Sequence, residues 1–171
     1  MQQQKYYAWK LLERALAQSF GWKLNELDVS RNQNGKWECS ACYFSLSHSG
    51  NVAAVAVAKE PVGVDIEAWN EARFTDALAE KIATAREREA LDCTDRKRAA
   101  LNALWTKKEA IFKRMGERAF RPKLIEASEY ATVTKAIQSG NERYLLSVAC
   151  NNLEQAMFCG EGVEVLPFEL Y

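Results

Sequence analysis

The sequence predicts an α+β protein, and three observations support this prediction. Apolar residues recur at helical spacing over residues 6–20 and again over residues 95–116. Between and after these segments, short apolar stretches separated by turn residues indicate β-strands. The resulting order of helix, strands, helices and strands is typical of an α+β arrangement. With 171 residues, 48% of them hydrophobic, the chain is long enough to form one domain with a buried core.

The N-terminal part contains one predicted helix and three predicted strands. The apolar residues of segment 6–20 share one helix face, which predicts an amphipathic helix. Strands are predicted over residues 37–49, 51–58 and 62–69, where apolar and polar side chains alternate or short apolar runs occur. Because the three strands follow one another closely, we expect an antiparallel meander.

The C-terminal part contains two helical segments followed by strands. Residues 71–92 have a helical pattern, and a second long helix follows, capped by Thr94 or Asp95 and ending at Gly116. Turn residues separate the remaining apolar segments, and these predict the strands 130–137, 143–150 and 164–168.

Charge and hydropathy exclude several classes of protein. Lys plus Arg equals Asp plus Glu at 23 each, whereas nucleic-acid and membrane-surface binders usually have a basic excess. No apolar run approaches the roughly 20 residues that cross a bilayer. The start, MQQQKYYAW, lacks the apolar stretch of a signal peptide, so we expect a cytoplasmic protein.

The chain has five cysteines, and two of them form a C-x-x-C pair at Cys39 and Cys42. An odd count without an export signal predicts reduced thiols. The pair is compatible with a redox or zinc site. However, a continuous strand would place the two thiols on opposite faces, so we favour ordinary packing.

Acidic residues at two distant positions suggest a metal site. Asp65 and Glu67 alternate with apolar residues in the predicted strand, so both point to one face. Glu109 and Lys113 share one stripe of the second long helix. Read separately, these residues are a solvated strand edge and a surface ion pair. If the three carboxylates converge, they need a cation, and Mg²⁺ with a phosphate-bearing substrate suits such a set.

Three segments together resemble a known family. FSLSHSG (44–50), VGVDIE (62–67) and WTKKEAIFK (105–113) are similar, in this order, to the signatures of the 4′-phosphopantetheinyl transferases, and closest to the surfactin-type members. The resemblance implies two similar α/β halves, each with a small antiparallel sheet and a long helix. We expect these halves to cover about residues 1–59 and 60–171 of a single domain.

The resemblance also implies an activity. Enzymes of this family transfer 4′-phosphopantetheine from coenzyme A to a serine of an acyl or peptidyl carrier protein and release adenosine 3′,5′-bisphosphate. The family's metal is Mg²⁺, and the matching ligands here are Asp65, Glu67 and Glu109. Catalytic roles fall on Glu109, on Lys113 at the leaving group, and on Glu87 as a helper in deprotonating the carrier serine.

Coenzyme A contacts are implied for five residues, all matched to family motifs: Lys36, Ser47, His48, Lys108 and Lys113. The plain alternatives are a turn lysine for Lys36 and a structural histidine at the strand end for His48. For Glu87 the alternative is a solvated helix face.

The chain departs from the surfactin-type pattern at its start. The family's N-terminal segment holds the 3′-phosphate of coenzyme A, and we expect a shortened member that lacks it. The leading alternative is therefore a non-catalytic relative that binds coenzyme A or carrier proteins. An unrelated Mg²⁺ phosphotransferase or nuclease is a third possibility. Because both carboxylate motifs occur in one chain, we expect a monomer with the site between its halves.

Overall fold

The computed structural model describes residues 2–153, 160 and 164–166, and it confirms the α+β class. Within these residues four α-helices are present: α1 (Gln2–Phe20), α2 (Asp76–Ile82), α3 (Ala85–Asp92) and α4 (Lys97–Met115). The described strands are β1 (Val29–Arg31), β2 (Trp37–Cys39), β3 (Tyr43–Ser49), β4 (Val52–Ala58), β5 (Gly63–Ala68), β6 (Thr132–Ser139), β7 (Glu142–Ala149) and β8 (Glu164–Leu166).

The N-terminal layer consists of α1 packed on the β3–β4 hairpin. The apolar face of α1 presents Leu12 and Leu16, which are buried together with Cys42 and Phe44. The hairpin turns at Gly50, whose φ of 52° lies in the left-handed region that glycine adopts readily. The helix begins at Gln2, earlier than predicted, and no described helix has both the length and the apolar character needed to cross a bilayer.

The predicted three-stranded meander is wrong, because β5 joins a different sheet. The strands β1 and β2 pair with each other, the hairpin β3–β4 forms a second sheet, and β5 belongs to a four-stranded sheet of the order β5-β7-β6-β8. One edge of β5 therefore pairs with β7, and no strand among the described residues pairs with its other edge through the backbone. Serine hydroxyls of β3 accept the N–H groups of that edge: Ser45 from Val64 at 3.1 Å, Ser47 from Ile66 at 3.2 Å and Ser49 from Ala68 at 3.1 Å.

This serine ladder joins the two sheets through side chains. A hydroxyl can accept an N–H and donate its own proton elsewhere, so an edge strand can be satisfied without another backbone. The alternation in FSLSHSG places a serine at every second position, so all three serines lie on the face toward β5. The motif is therefore also a structural element that holds β5 against the hairpin.

The helix α4 lies very close to the start of β5. A methyl group added at Gly63 would lie 1.9 Å from the carbonyl oxygen of Ala110 and 2.5 Å from the amide nitrogen of Arg114. Only glycine permits this approach of helix and strand backbones. The contact brings the C-terminal half of α4 over the carboxylates of β5.

The ends of α4 differ in part from prediction. Gly116 ends the helix with a φ of 70°, as expected for a left-handed C-cap. The predicted N-cap is wrong, because Arg96 occupies that position and makes no side-chain cap hydrogen bond. Thr94 instead accepts a hydrogen bond from the amide of Arg96 at 3.2 Å, within the turn before the helix.

The predicted helical stretch 71–92 is divided into three pieces. A 3-10 turn (Glu71–Arg73) precedes α2, and extended residues separate α2 from α3. Thr75 caps α2, and Thr84 caps α3 in a reciprocal capping box with Glu87. The chain therefore changes direction twice before α4.

The described cysteines Cys39, Cys42, Cys93 and Cys150 are free thiols, and their reduced state stays a prediction, while Cys159 lies outside the described residues. The prediction that the first two thiols lie on opposite faces is wrong. The strand is interrupted after Cys39, and burial together with the Cys39 thiol raises the pKa of Cys42 to about 11.

Candidate active site

Three carboxylates meet where β5 faces α4. Asp65 is buried, with 5% of its surface exposed, and Glu67 and Glu109 are partly buried. Burial is the largest cause that raises the pKa of Glu109, and the neighbouring carboxylates of Asp65 and Glu67 raise it further. Burial likewise raises the pKa of Glu67, with a contribution from Asp65. The sequence-predicted acids therefore lie within electrostatic reach of one another.

Asp65 is the centre of this group. Its Oδ1 accepts hydrogen bonds from Ser47 Oγ at 2.8 Å and from Lys113 Nζ at 2.7 Å. Its Oδ2 is buried and has no hydrogen-bond partner within the described part of the chain. Leaving a buried charged oxygen unpartnered is unfavourable, so this atom is an open position for a cation or another donor.

Lys113 spans the contact between helix and strand. Its ammonium group donates to Asp65 and, at 3.0 Å, to Ser47 Oγ. The side chain remains 27% exposed, so the ammonium group faces both the buried carboxylate and solvent. The position expected from the family motif is thus compatible with contact to a phosphate.

Arg73 is a member of the site that sequence reasoning missed. It lies on the 3-10 turn after β5, and its Nη1 donates to Glu67 Oε1 at 2.5 Å. Its guanidinium carbon lies 5.8 Å from the ring centroid of Trp105. No motif spacing marked this residue, because a short turn after the strand carries its side chain back to Glu67.

The donor set suits a hard divalent cation in its chemistry. Three carboxylates and two cations leave one net negative charge, and Asp65 has an unpartnered oxygen. As the side chains stand, no group of three or more acidic, histidine or cysteine residues among those described is arranged to hold a metal ion. Arg73 and Lys113 are the counter-ions in this arrangement.

Lys108 has a position that does not fit the expected phosphate contact. Its side chain is fully buried, and its ammonium group lies 2.5 Å from Glu87 Oε2. It also donates to the carbonyl oxygens of Ile82 at 2.8 Å and Pro122 at 2.9 Å. An ammonium group has three N–H donors, so none remains for a substrate.

Glu87 is equally committed to the fold, which does not fit the expected role in deprotonating the carrier serine. Its Oε1 accepts from the amide of Ala127 at 2.9 Å, and its Oε2 accepts from the amide of Thr84 at 2.8 Å and pairs with Lys108. The spacing of threonine and glutamate in TARE is a capping-box signal that could have predicted this role.

Ser47 and His48 lie on opposite faces of β3. Ser47 is buried, and its hydroxyl group contacts Asp65, Lys113 and the amide of Ile66. Ser47 therefore contacts Asp65 and Lys113 directly, and its contact with a phosphate group stays a prediction. His48 is exposed and points away from the carboxylates, as alternation along the strand requires.

Lys36 lies at the C-terminal end of α4. Its ammonium group donates to the carbonyl oxygen of Lys113 at 2.5 Å, and the side-chain amide of Asn34 donates to the carbonyl oxygen of Gly116 at 3.0 Å. A lysine at a helix C-terminus satisfies free carbonyl groups and complements the helix dipole. Burial lowers the pKa of Lys36.

The fold and the site together define an α+β protein with an acidic and basic cluster where a strand meets a helix. The sequence profile of the 4′-phosphopantetheinyl transferase superfamily matches residues 61–156, more than half of the chain. The chain therefore belongs to this superfamily, which confirms the resemblance found in its motifs.

Two curated relatives match a shorter stretch. Enterobactin synthase component D of Escherichia coli O157:H7 is 39% identical over 72 residues, and the protein of the same name from Shigella flexneri matches equally. The matched stretch covers 42% of this chain and 35% of each relative. It thus spans about a third of the length of these relatives.

Proposed function

We propose that this protein transfers 4′-phosphopantetheine from coenzyme A to a serine of an acyl or peptidyl carrier protein, in a Mg²⁺-dependent reaction. The serine oxygen bonds to the phosphorus next to pantetheine, the pyrophosphate bond breaks, and adenosine 3′,5′-bisphosphate leaves. The observation that carries the proposal is the cluster of Asp65, Glu67 and Glu109 beside Lys113, in a chain of this superfamily.

Asp65, Glu67 and Glu109 would hold the Mg²⁺ ion. Two observations support this assignment: Oδ2 of Asp65 is unpartnered, and the pKa values of both glutamates are raised. A cation would bind the free oxygen and would lower the pKa values of the glutamates. When bound, the ion supplies neutralisation of the charge on the pyrophosphate and on the leaving group.

Lys113 stabilises the negative charge that develops on the leaving phosphate. Its ammonium group is already fixed between Asp65 and Ser47, so little reorganisation is needed when the substrate binds. Ser47 orients both the carboxylate and the ammonium group through one hydroxyl. Lys36 fixes the carbonyl of Lys113 and so holds the end of the helix that carries it.

Coenzyme A would lie along the edge formed by the end of α4 and the β3–β4 hairpin. His48 is exposed on the hairpin and is available to a phosphate group on the face away from the carboxylates. All three carboxylates come from one chain, which supports a monomeric enzyme. Ser47 of the first half contacts Asp65 and Lys113 of the second half, which supports a site between the halves.

The test is a transfer assay on apo carrier proteins. The protein is incubated with coenzyme A and Mg²⁺ and a panel of peptidyl and acyl carriers, which are then weighed by intact mass spectrometry. We expect one carrier to gain the mass of one phosphopantetheine, and EDTA to prevent the gain. If no carrier gains mass while coenzyme A still binds in a separate titration, the protein is a non-catalytic relative.

A further inference from the structure

Arg73 is a cation of the acidic cluster that neither the family motifs nor the proposed chemistry uses. It forms an ion pair with Glu67 at 2.5 Å, and the side chain of Glu67 is 19% exposed. The guanidinium group therefore lies where positive charge is needed in the absence of a metal ion.

The two cations of the cluster are held differently. Lys113 is bound by two acceptors and is 27% exposed, whereas Arg73 is 51% exposed and pairs with Glu67 from a three-residue turn. The rings of Trp105 and Phe74 lie 5.8 and 5.9 Å from the guanidinium carbon, near the outer limit of a cation–π contact. Arg73 is thus the cation that can leave its carboxylate more easily.

We propose that Arg73 is an internal counter-ion that pairs with Glu67 when no divalent cation is bound and turns to an anionic phosphate group when one is. The inference rests on the proposed function and adds a positioning residue to it. Three carboxylates with two cations carry one net negative charge, and a divalent cation changes this to one net positive charge. The net positive charge favours release of the Arg73 guanidinium group from Glu67 and attracts an anion.

A released arginine is well suited to this second role. Its planar guanidinium group has five N–H donors in a fixed arrangement that matches two oxygens of a phosphate. The same side chain would then compete with the metal ion for Glu67 and bind the phosphate group of the anionic substrate. Metal and substrate binding are thereby coupled, and the coupling must be the same whichever binds first.

The experiment compares Arg73→Gln with a matched control, Arg88→Gln. Arg88 has a similar exposure, 48%, and pairs with Glu80 at 3.8 Å on the protein surface. Binding of Mn²⁺ alone is measured by electron paramagnetic resonance, and binding of coenzyme A is measured by calorimetry with and without Mn²⁺. These readouts do not depend on catalytic turnover.

We expect Arg73→Gln to bind Mn²⁺ about two- to fivefold more tightly than the wild type, the range that loss of a partly exposed ion pair corresponds to. The factor by which Mn²⁺ strengthens coenzyme A binding should fall in this variant and stay unchanged in Arg88→Gln. Arg73→Lys keeps the charge but not the planar donors, so it should retain wild-type Mn²⁺ affinity while losing part of the coupling.

Unchanged or weaker Mn²⁺ binding by Arg73→Gln would overturn the counter-ion role. If Mn²⁺ strengthens coenzyme A binding by the same factor in Arg73→Gln as in the wild type, the proposed contact of Arg73 with the phosphate group is wrong. If neither wild type nor variant binds Mn²⁺, the inference fails as well. The proposed function is judged separately, by the mass gain of carrier proteins with the wild-type enzyme.

Discussion

Gly63→Ala is expected to separate α4 from β5 and so to disturb both stability and activity. The added methyl group would lie 1.9 Å from the carbonyl oxygen of Ala110, whereas ordinary contact begins at 3.4 Å. The shortfall is therefore about 1.5 Å. The obstacle is helix backbone, which cannot turn away as a flexible side chain can, so helix and strand must move apart.

The size of the effect follows from this geometry. Inserting a methyl group into a well-packed core lowers the free energy of unfolding by about 1–3 kcal/mol. Because the clash is with backbone, we expect about 3 kcal/mol, or a fall in melting temperature of about 6–12 °C for a chain of this length. Moving Lys113 by about 1 Å relative to Asp65 should also lower the transfer rate about 100-fold.

The assay combines urea unfolding with carrier mass gain at a temperature where the variant stays folded. Gly140→Ala is the control, since it adds the same methyl group where nothing lies within 4 Å. The φ of Gly140 is +59°, so this control should lose only about 1–2 kcal/mol through the left-handed conformation, with full transfer activity. A Gly63→Ala protein that is as stable and as active as the wild type would refute the reasoning.

Three further predictions concern buried charges. Glu109→Gln should abolish transfer and leave the circular dichroism spectrum unchanged; a folded, fully active variant would refute the metal assignment. Lys108→Met should lower the free energy of unfolding by about 3–5 kcal/mol, because Glu87 is left buried without its lysine partner. Lys107 is the control: burial alone lowers its pKa and no carboxylate contributes, so Lys107→Met should have a much smaller effect in the same urea titration. Without metal, the pKa values of Glu67 and Glu109 are higher in the folded protein than in the unfolded chain. The folded protein therefore binds more protons than the unfolded chain above the ordinary glutamate pKa. The free energy of unfolding should fall as the pH rises from that value through the folded-state pKa values. The wild type should lose more stability than Glu109→Gln over that interval, and equal losses would contradict the coupling.

Local pattern was enough to predict most of the fold. Hydrophobic periodicity predicted α1, α4 and the strands other than β1, which lies in a polar segment. Gly116 marked the end of α4 because glycine readily adopts the left-handed conformation there. The predicted three-stranded meander is wrong, and no local sequence pattern could have shown this. Strands adjacent in sequence usually pair, but the serine hydroxyls of β3 satisfy the edge of β5 and leave its other edge for β7.

The candidate site was predictable only in part. The alternation of Asp65 and Glu67 placed both on one face, and the helical stripe placed Glu109 with Lys113. Adjacent residues of one motif nevertheless lie in different environments. Lys108 and Glu109 are neighbours in the chain, yet the helix turns one into the core and the other toward the carboxylates of β5.

The sequence by itself determined the α+β class, the superfamily and the three acidic positions, because these follow from periodicity and from motifs that are contiguous in the chain. The tertiary structure decided which polar groups meet. Lys108 pairs with Glu87 inside the core, whereas Arg73 pairs with Glu67 at the site. Such pairings depend on how separate elements pack and on the requirement that buried charges find partners, and neither is encoded in local spacing.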